Sequence, residues 1–253
     1  MPLAPIAYAE WTVRPPLRRL VSCTWAAGRA GAEPVLPDGC MDLIWDGERL
    51  FVAGPDTGPV PSGHPVAAVV GVRLQPGAGP LAFGLPAVEL RDARVDADCL
   101  WAEAGEVAGR LAETTSIAGA RAVLEAAVTA RLEAADLSPD PLVELAAGAW
   151  RADPASLPAS ALAREAGISS RQVHRRFVAA VGYGPKYLQR VLRLQSFLAR
   201  CSEPDAGLAE LAARSGFADQ AHLTRETGAL AGRTPAQLRA TRRADVRNVQ
   251  DPA

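Results

Sequence analysis

One supersecondary unit is written twice in the last hundred residues of this 253-residue chain, and nothing else in it restricts the fold as strongly. The first copy, residues 161–189, reads ALAREAGISSRQVHRRFVAAVGYGPKYLQ, and the second, residues 210–239, reads ELAARSGFADQAHLTRETGALAGRTPAQLR. Up to the turn the copies align at an offset of 49, which matches Leu162 with Leu211, Ala163 with Ala212 and Gly167 with Gly216. Past the turn the offset is 50, matching Val173 with Leu223, Arg175 with Arg225, Gly182 with Gly232, Pro185 with Pro235 and Leu188 with Leu238. One extra turn residue accounts for the step. Self-similarity at a fixed period is architecture before it is anything else.

Each copy spells helix, tight turn, helix. Leu162 and Leu211 supply an apolar stripe, and Ala163 and Ala212 are small enough for a second helix to cross closely. Gly167 and Gly216 stand where a helix ends on a left-handed residue. Ser169 or Ser170, and Asp219, are placed to cap the next helix. From those caps Val173 and Phe177, or Leu223, face inward. Ser170, Arg171, His174 and Arg175 in the first copy, with Asp219, Gln220, Thr224 and Arg225 in the second, are the expected DNA contacts. A polar, Arg-bearing second helix of this kind enters a major groove. An ordinary αα-hairpin with a solvated face is the alternative, and two copies in register speak against it.

The segments LAREAGISSRQVHRRFVAAVGYGPKYLQRVLRLQ and LAELAARSGFADQAHLTRETGALAGRTPAQLR resemble the C-terminal DNA-binding domain of the AraC/XylS family of bacterial transcription regulators. Gly216-Phe217, Asp219-Gln220, His222-Leu223, Arg225 and Gly232-Arg233-Thr234-Pro235 carry the more specific part of that resemblance. The resemblance implies an all-α domain of seven helices with two helix-turn-helix units, bound to double-stranded DNA in the cytoplasm. A small-molecule effector or assembly acting through the N-terminal domain, RNA polymerase, and a second copy of the chain are the further partners it implies. Thr227-Gly228 departs from the pattern, which has Phe and then a long polar residue there. The glycine alone should weaken the second unit by about 1 kcal/mol.

Charge sorts with this division. The whole chain carries a net charge of −1, which looks wrong for a DNA-binding protein until it is split. Residues 1–139 hold 11 Arg against 17 acidic residues, whereas residues 140–253 hold 15 Arg and Lys186 against 11. The basic surplus lies with the repeat, as phosphate contacts require. No apolar run approaches the ~18 residues of a membrane span, and no secretory leader is written at the start. Cys23, Cys40, Cys99 and Cys201 form no CxxC pair and read as reduced, inert thiols of a cytoplasmic protein.

Residues 1–97 have another texture, with Pro and Gly punctuating short β-branched or alternating runs at 20–25, 41–45, 49–53, 67–74 and 88–95. Asp46-Gly47 turns one run into the next, a hairpin signal. The expected fold is α+β: a β-barrel or sandwich-like sensor domain at 1–97, a helical extension at 98–136, and the DNA-binding domain at 140–243. The N-terminal segments more loosely resemble a domain often fused ahead of this DNA module. In the extension, Leu100, Trp101, Ala104, Val107, Ala108 and Leu111 recur at helical spacing, and Thr115 or Ser116 caps a second helix. That pair either closes the β domain or serves dimerisation, and the two roles are compatible. Residues 134–141 are the expected hinge.

Enzyme chemistry finds little support. Of the three histidines only His64 lies in the β-rich half, too few for a metal site built on convergent ligands. Gly77-Ala78-Gly79 follows an apolar run, but Pro80, Gly84 and Pro86 forbid the long helix a dinucleotide fold needs, so the stretch reads as a loop. Asp38, Asp42 and Asp46 read as exposed strand and turn positions. Trp25, Trp45, Phe51, Phe83 and Trp101 are either core or the lining of an apolar pocket. The expectation is therefore a transcription regulator with no cofactor and no catalytic residues. The alternatives are a β-domain enzyme tethered to DNA, or a DNA-bound protein whose N-terminal domain only dimerises.

Overall fold

The computed structural model describes residues 6, 8–15, 17–28, 33–61, 68–135 and 138–250; His64 and part of the expected hinge, Asp136 and Leu137, lie outside them. Six strands form one antiparallel sheet: β1 (Ala9–Trp11), β2 (Val21–Gly28), β3 (Met41–Trp45), β4 (Leu50–Ala53), β5 (Ala68–Leu74) and, after α1 (Gly79–Phe83), β6 (Arg94–Asp96). Their order is β1-β2-β5-β3-β4-β6. The β-rich half thus folds as expected, with its described strands gathered in a single sheet. The Asp46-Gly47 hairpin joins β3 to β4, and Gly47 takes φ 98 there. Residues 88–95 are not extended throughout. They divide into a 3-10 turn, Ala87–Leu90, and β6, with Asp92 at φ 57 breaking the extended run. The expected loop at 77–82 winds into the five-residue α1, and a Cβ on Gly79 would come within 2.1 Å of Met41 Sδ.

Alternation along the strands sends Leu43, Trp45, Val52, Val70, Val72 and Leu74 to one face. There they are buried with Phe83 of α1, Leu111 of α2 (Ala104–Ala112) and Leu124 and Val128 of α3 (Ile117–Ala134). Ser116 caps α3 by accepting the Gly119 N–H at 3.1 Å. Both extension helices therefore close the sheet domain. The other face carries Cys23, Trp25, Ile44, Phe51 and Val69. The five aromatics do not line one pocket: Trp25 and Phe51 lie on this face, and Trp45, Phe83 and Trp101 in the opposite core. Asp42 is buried, not exposed. Its Oδ1 accepts from Trp25 Nε1 at 2.7 Å and from Arg73 Nε, across the β3–β5 pair, at 3.2 Å. Burial pushes its carboxyl above the usual carboxylate range even with Arg73 beside it. Alternation assigns a face, but this sheet is covered on both faces, so a polar residue on either one must find partners.

The remaining helices are α4 (Pro141–Ala152), α5 (Leu162–Glu165), α6 (Ser170–Val181), α7 (Pro185–Arg200), α8 (Leu208–Arg214), α9 (Gln220–Ala231) and α10 (Pro235–Gln250). They enclose a separate core in which Trp150, Phe177, Leu194, Phe197 and Leu211 are fully buried. Trp150 of α4 packs on Phe177 of α6 with ring centroids 6.0 Å apart. Asp140 ends the linker and caps α4, its Oδ1 accepting the N–H groups of Leu142 at 2.9 Å and Val143 at 3.2 Å. The same carboxylate takes both prongs of Arg176 on α6, each at 2.6 Å. Burial alone would raise its pKa, but Arg176 and the two backbone donors together hold it below the ordinary carboxylate value. Its stabilising contribution is thus present above that value and lost as pH falls through the depressed one. Asp140→Ala should cost about 1–2 kcal/mol at neutral pH. In urea titrations the gap from wild type should narrow below about pH 4; a gap constant with pH would refute this.

Candidate DNA interface

The two helices that carry the expected contacts, α6 and α9, begin alike. Ser169, not Ser170, caps α6: its Oγ accepts the Gln172 N–H at 3.2 Å while Gln172 Oε1 accepts the Ser169 N–H at 2.9 Å. Asp219 caps α9 through the His222 N–H at 2.6 Å, and His222 Nδ1 accepts the Ala218 N–H at 3.2 Å. The third residue of each helix is thereby turned back onto the turn. Gly167 at φ 63 and Gly216 at φ 80 take the left-handed conformation expected of them.

The expected contact residues lie on exposed surface: Ser170, Arg171, His174 and Arg175 along α6, and Asp219, Gln220, Thr224 and Arg225 at the start of α9. They differ in freedom. The Asp219 carboxylate is engaged in its cap, and Thr224 Oγ1 donates to the Gln220 carbonyl at 2.9 Å. Among the described residues the side chains of Arg171, Arg175, Gln220 and Arg225 have no hydrogen-bonding partner, so they remain available to a ligand. Val173, Phe177 and Leu223 are buried behind them. Thr227 fills the place matched to Phe177 and is fully buried, its Oγ1 donating to the Thr224 carbonyl at 3.2 Å. Gly228 interrupts nothing; α9 runs through it, and a Cβ there would meet no atom within 4 Å. Gly228→Ala should therefore raise unfolding stability by about 1 kcal/mol, and a destabilised variant in thermal unfolding would contradict it.

The 16-residue α7 joins the two units. On it Arg190 Nε pairs with Glu226 Oε2 of α9 at 2.6 Å. Arg176 and Glu226 occupy matched positions, 50 residues apart, and each pairs with an opposite charge from the first helix of its unit, Asp140 at the cap of α4 and Arg190 on α7, so the two ion pairs are reversed. The repeat contains this signal, but matching by identity hides it, because opposite charges read as mismatches.

The sheet domain lies against this surface. The 3-10 turn Ala87–Leu90 packs along α6, Arg91 Nη1 donates to the Gly182 carbonyl at 3.2 Å, and a Cβ on Gly182 would come within 2.7 Å of Pro55 Cγ. A groove of about 570 Å³ runs between Pro86, Val88 and Glu89 on one wall and Arg171, His174, Arg175 and Val178 on the other. Elsewhere Gln195 Nε2 donates to the Pro37 carbonyl at 2.7 Å, Tyr187 OH donates to the Thr57 carbonyl, and Arg233 pairs with Glu33. None of these contacts carried a sequence signal. Among the described residues no helix is long and apolar enough to cross a membrane, and no group of His, Cys, Asp and Glu could hold a metal ion.

Two exposed, capped, Arg-bearing helices on one rod define a helix-turn-helix protein of the DNA-binding kind. Residues 162–241 match the family described as a helix-turn-helix domain, and residues 10–96 match a domain of unknown function (DUF6597). The C-terminal domain is of the AraC type, and the protein is a DNA-binding transcription regulator. No curated protein matches the chain in sequence. Among solved structures, it is similar to the DNA-binding domain of AdpA, a global transcriptional factor, in complex with a target DNA, with 29% identity over 44% of this chain and 99% of that one and a TM-score of 0.39. It is also similar to ToxT from Vibrio cholerae, with 9% identity over 93% of this chain and 98% of that one and a TM-score of 0.45. ToxT with bound unsaturated fatty acid gives 10% identity over 94% and 92% and a TM-score of 0.43.

Proposed function

We propose that α6 and α9 read successive major grooves of one asymmetric duplex site, and that the sheet domain restrains α6 until an effector or an assembly event frees it. The division at 1–97, 98–136 and 140–243 belongs to this reading, as do the eight contact residues, cytoplasmic location, and RNA polymerase and a second copy of the chain as partners. Its class is that of regulators, not enzymes. The observation that carries it is the groove in which the exposed face of α6 meets Pro86, Val88 and Glu89. Both units head the same way along one chain, so one protomer addresses a direct, not a palindromic, arrangement. α7 spans about 24 Å at 1.5 Å per residue, compatible with grooves ~34 Å apart once the reading helices extend beyond its ends. Footprinting on duplexes selected from a random pool tests this. Protection of two segments about one helical turn apart is expected, and protection of a single groove would overturn it.

A further inference from the structure

We infer that Gly184 is a positioning residue for DNA recognition: it leaves room for the His174 imidazole against the start of α7, and the seated ring sets the base preference of α6. This rests on α6 reading DNA, as proposed above.

Nothing about the backbone calls for glycine at this position. Gly184 has φ −70 and ψ 165, an extended conformation open to any residue. It is the N-cap of α7, where a side-chain oxygen would be preferred, and α7 has no side-chain cap. The matched position in the second unit is Thr234, which does cap its helix. Its Oγ1 accepts the Gln237 N–H at 3.3 Å while Gln237 Oε1 accepts the Thr234 N–H at 2.9 Å. The first unit therefore forgoes a cap that the second keeps.

Space is what glycine provides. A methyl group on Gly184 would lie 2.7 Å from His174 Nδ1 and 2.8 Å from Cε1, closer than such atoms can approach. The residue matched to His174 is Thr224, small enough to turn its hydroxyl onto its own helix at the Gln220 carbonyl, 2.9 Å away. Within one chain, the two matched positions vary together in size: an imidazole goes with glycine in the first unit, and a threonine with a threonine in the second. The ring meets Gly184 with its Nδ1–Cε1 edge, so the Nε2–Cδ2 edge is turned away from the backbone. His174 is exposed beside Arg175 and one turn from Arg171, on the wall that lines the groove. A ring already held in one orientation loses less freedom on binding, so its one hydrogen bond to a base edge is the more selective. A free hydroxyl or a swinging imidazole would not read the same base pair.

Full-length Gly184→Thr, His174→Thr and the double variant separate this from plain packing. Each is passed through selection on random duplexes, with melting recorded alongside. Gly184→Thr should melt no lower than wild type, because it regains a cap, yet lose preference at one base pair of the α6 half-site by about three- to tenfold. His174→Thr should lose the same preference, the double variant should lose no more than either single, and the α9 half-site should not change. Gly184→Ala adds only the methyl and keeps the test open if threonine disturbs the fold. In NMR spectra the Gly184 Hα protons should carry a ring-current shift that disappears in His174→Thr. Unchanged preference in both Gly184 variants, or losses that add in the double variant, would overturn the inference. A wild-type protein without preference in either half-site would instead remove the DNA-reading proposal beneath it.

Discussion

Removal of the sheet domain should make residues 138–250 bind their preferred duplex about ten- to a hundredfold more tightly than the full chain at matched salt. An α-helix with its side chains is ~10–12 Å across and nearly fills a major groove ~12 Å wide, so sugar-phosphate backbones must pass on both sides of α6. The 3-10 turn Ala87–Leu90 stands on one of those sides, and Glu89 adds a charge that repels phosphate. The bias needed is small. A tenfold to hundredfold preference for the closed arrangement is about 1.4–2.7 kcal/mol. Hydrogen bonds such as Arg91 to Gly182 and Gln195 to Pro37 are worth about 0.5–1.5 kcal/mol each. The fragment should fold alone, because Trp150, Phe177, Leu194, Phe197 and Leu211 of its own helices make up the body of its core, while Leu36 and the backbone at Gly39 and Gly77 of the sheet domain only border it. Arg91→Ala in the full chain should move affinity part of the way. Equal affinity of fragment and full chain in the same titration would show that the sheet domain does not restrain α6.

Base reading and phosphate gripping should separate among the free side chains of the two helices. Arg171 and Gln220 stand in the first turns of α6 and α9, where a recognition helix approaches base edges. Arg to guanine and Gln to adenine are the geometrically favoured pairings, each worth ~1–3 kcal/mol of discrimination. Arg171→Ala and Gln220→Ala should therefore relax preference, each in its own half-site. Arg175 and Arg225 occupy matched positions in both units, and the duty we propose for both is to grip a phosphate. Alanine at either should weaken all sequences alike and flatten the salt dependence by about one counterion. Full affinity and unchanged preference in both Arg171→Ala and Gln220→Ala would end the two-groove reading.

Much of the candidate interface was legible because the repeat wrote each local signal twice. Gly167 with Gly216 and the two N-caps needed only neighbouring residues to be understood. The hairpin at Asp46-Gly47 was legible for the same reason. What failed to show required knowledge of distant partners. Asp42 alternates like an exposed residue, and only the coverage of both sheet faces makes it buried. The run 88–95 reads as extended in sequence, but its first half is a 3-10 turn packed against α6. The docking of Arg91 on Gly182 joins residues 91 positions apart and leaves no periodicity to detect. Gly184 is intermediate: its mismatch with Thr234 is visible in the sequence, but only the fold places His174 over it.

The reversed ion pairs bear on how a duplicated domain avoids confusing its own halves. Two similar three-helix units on one chain could exchange first helices while folding, α4 taking the place of that part of α7 which serves α9. Such an exchange would bring the acidic cap of α4 to the helix that carries Glu226, and Arg190 to the helix that carries Arg176, like charge beside like charge in both halves. Correct assembly is then favoured twice, by attraction in the native pairs and by repulsion in the swapped ones. Opposite charge at the matched positions Arg176 and Glu226 thus acts as an address label, telling each second helix which half of the molecule it belongs to.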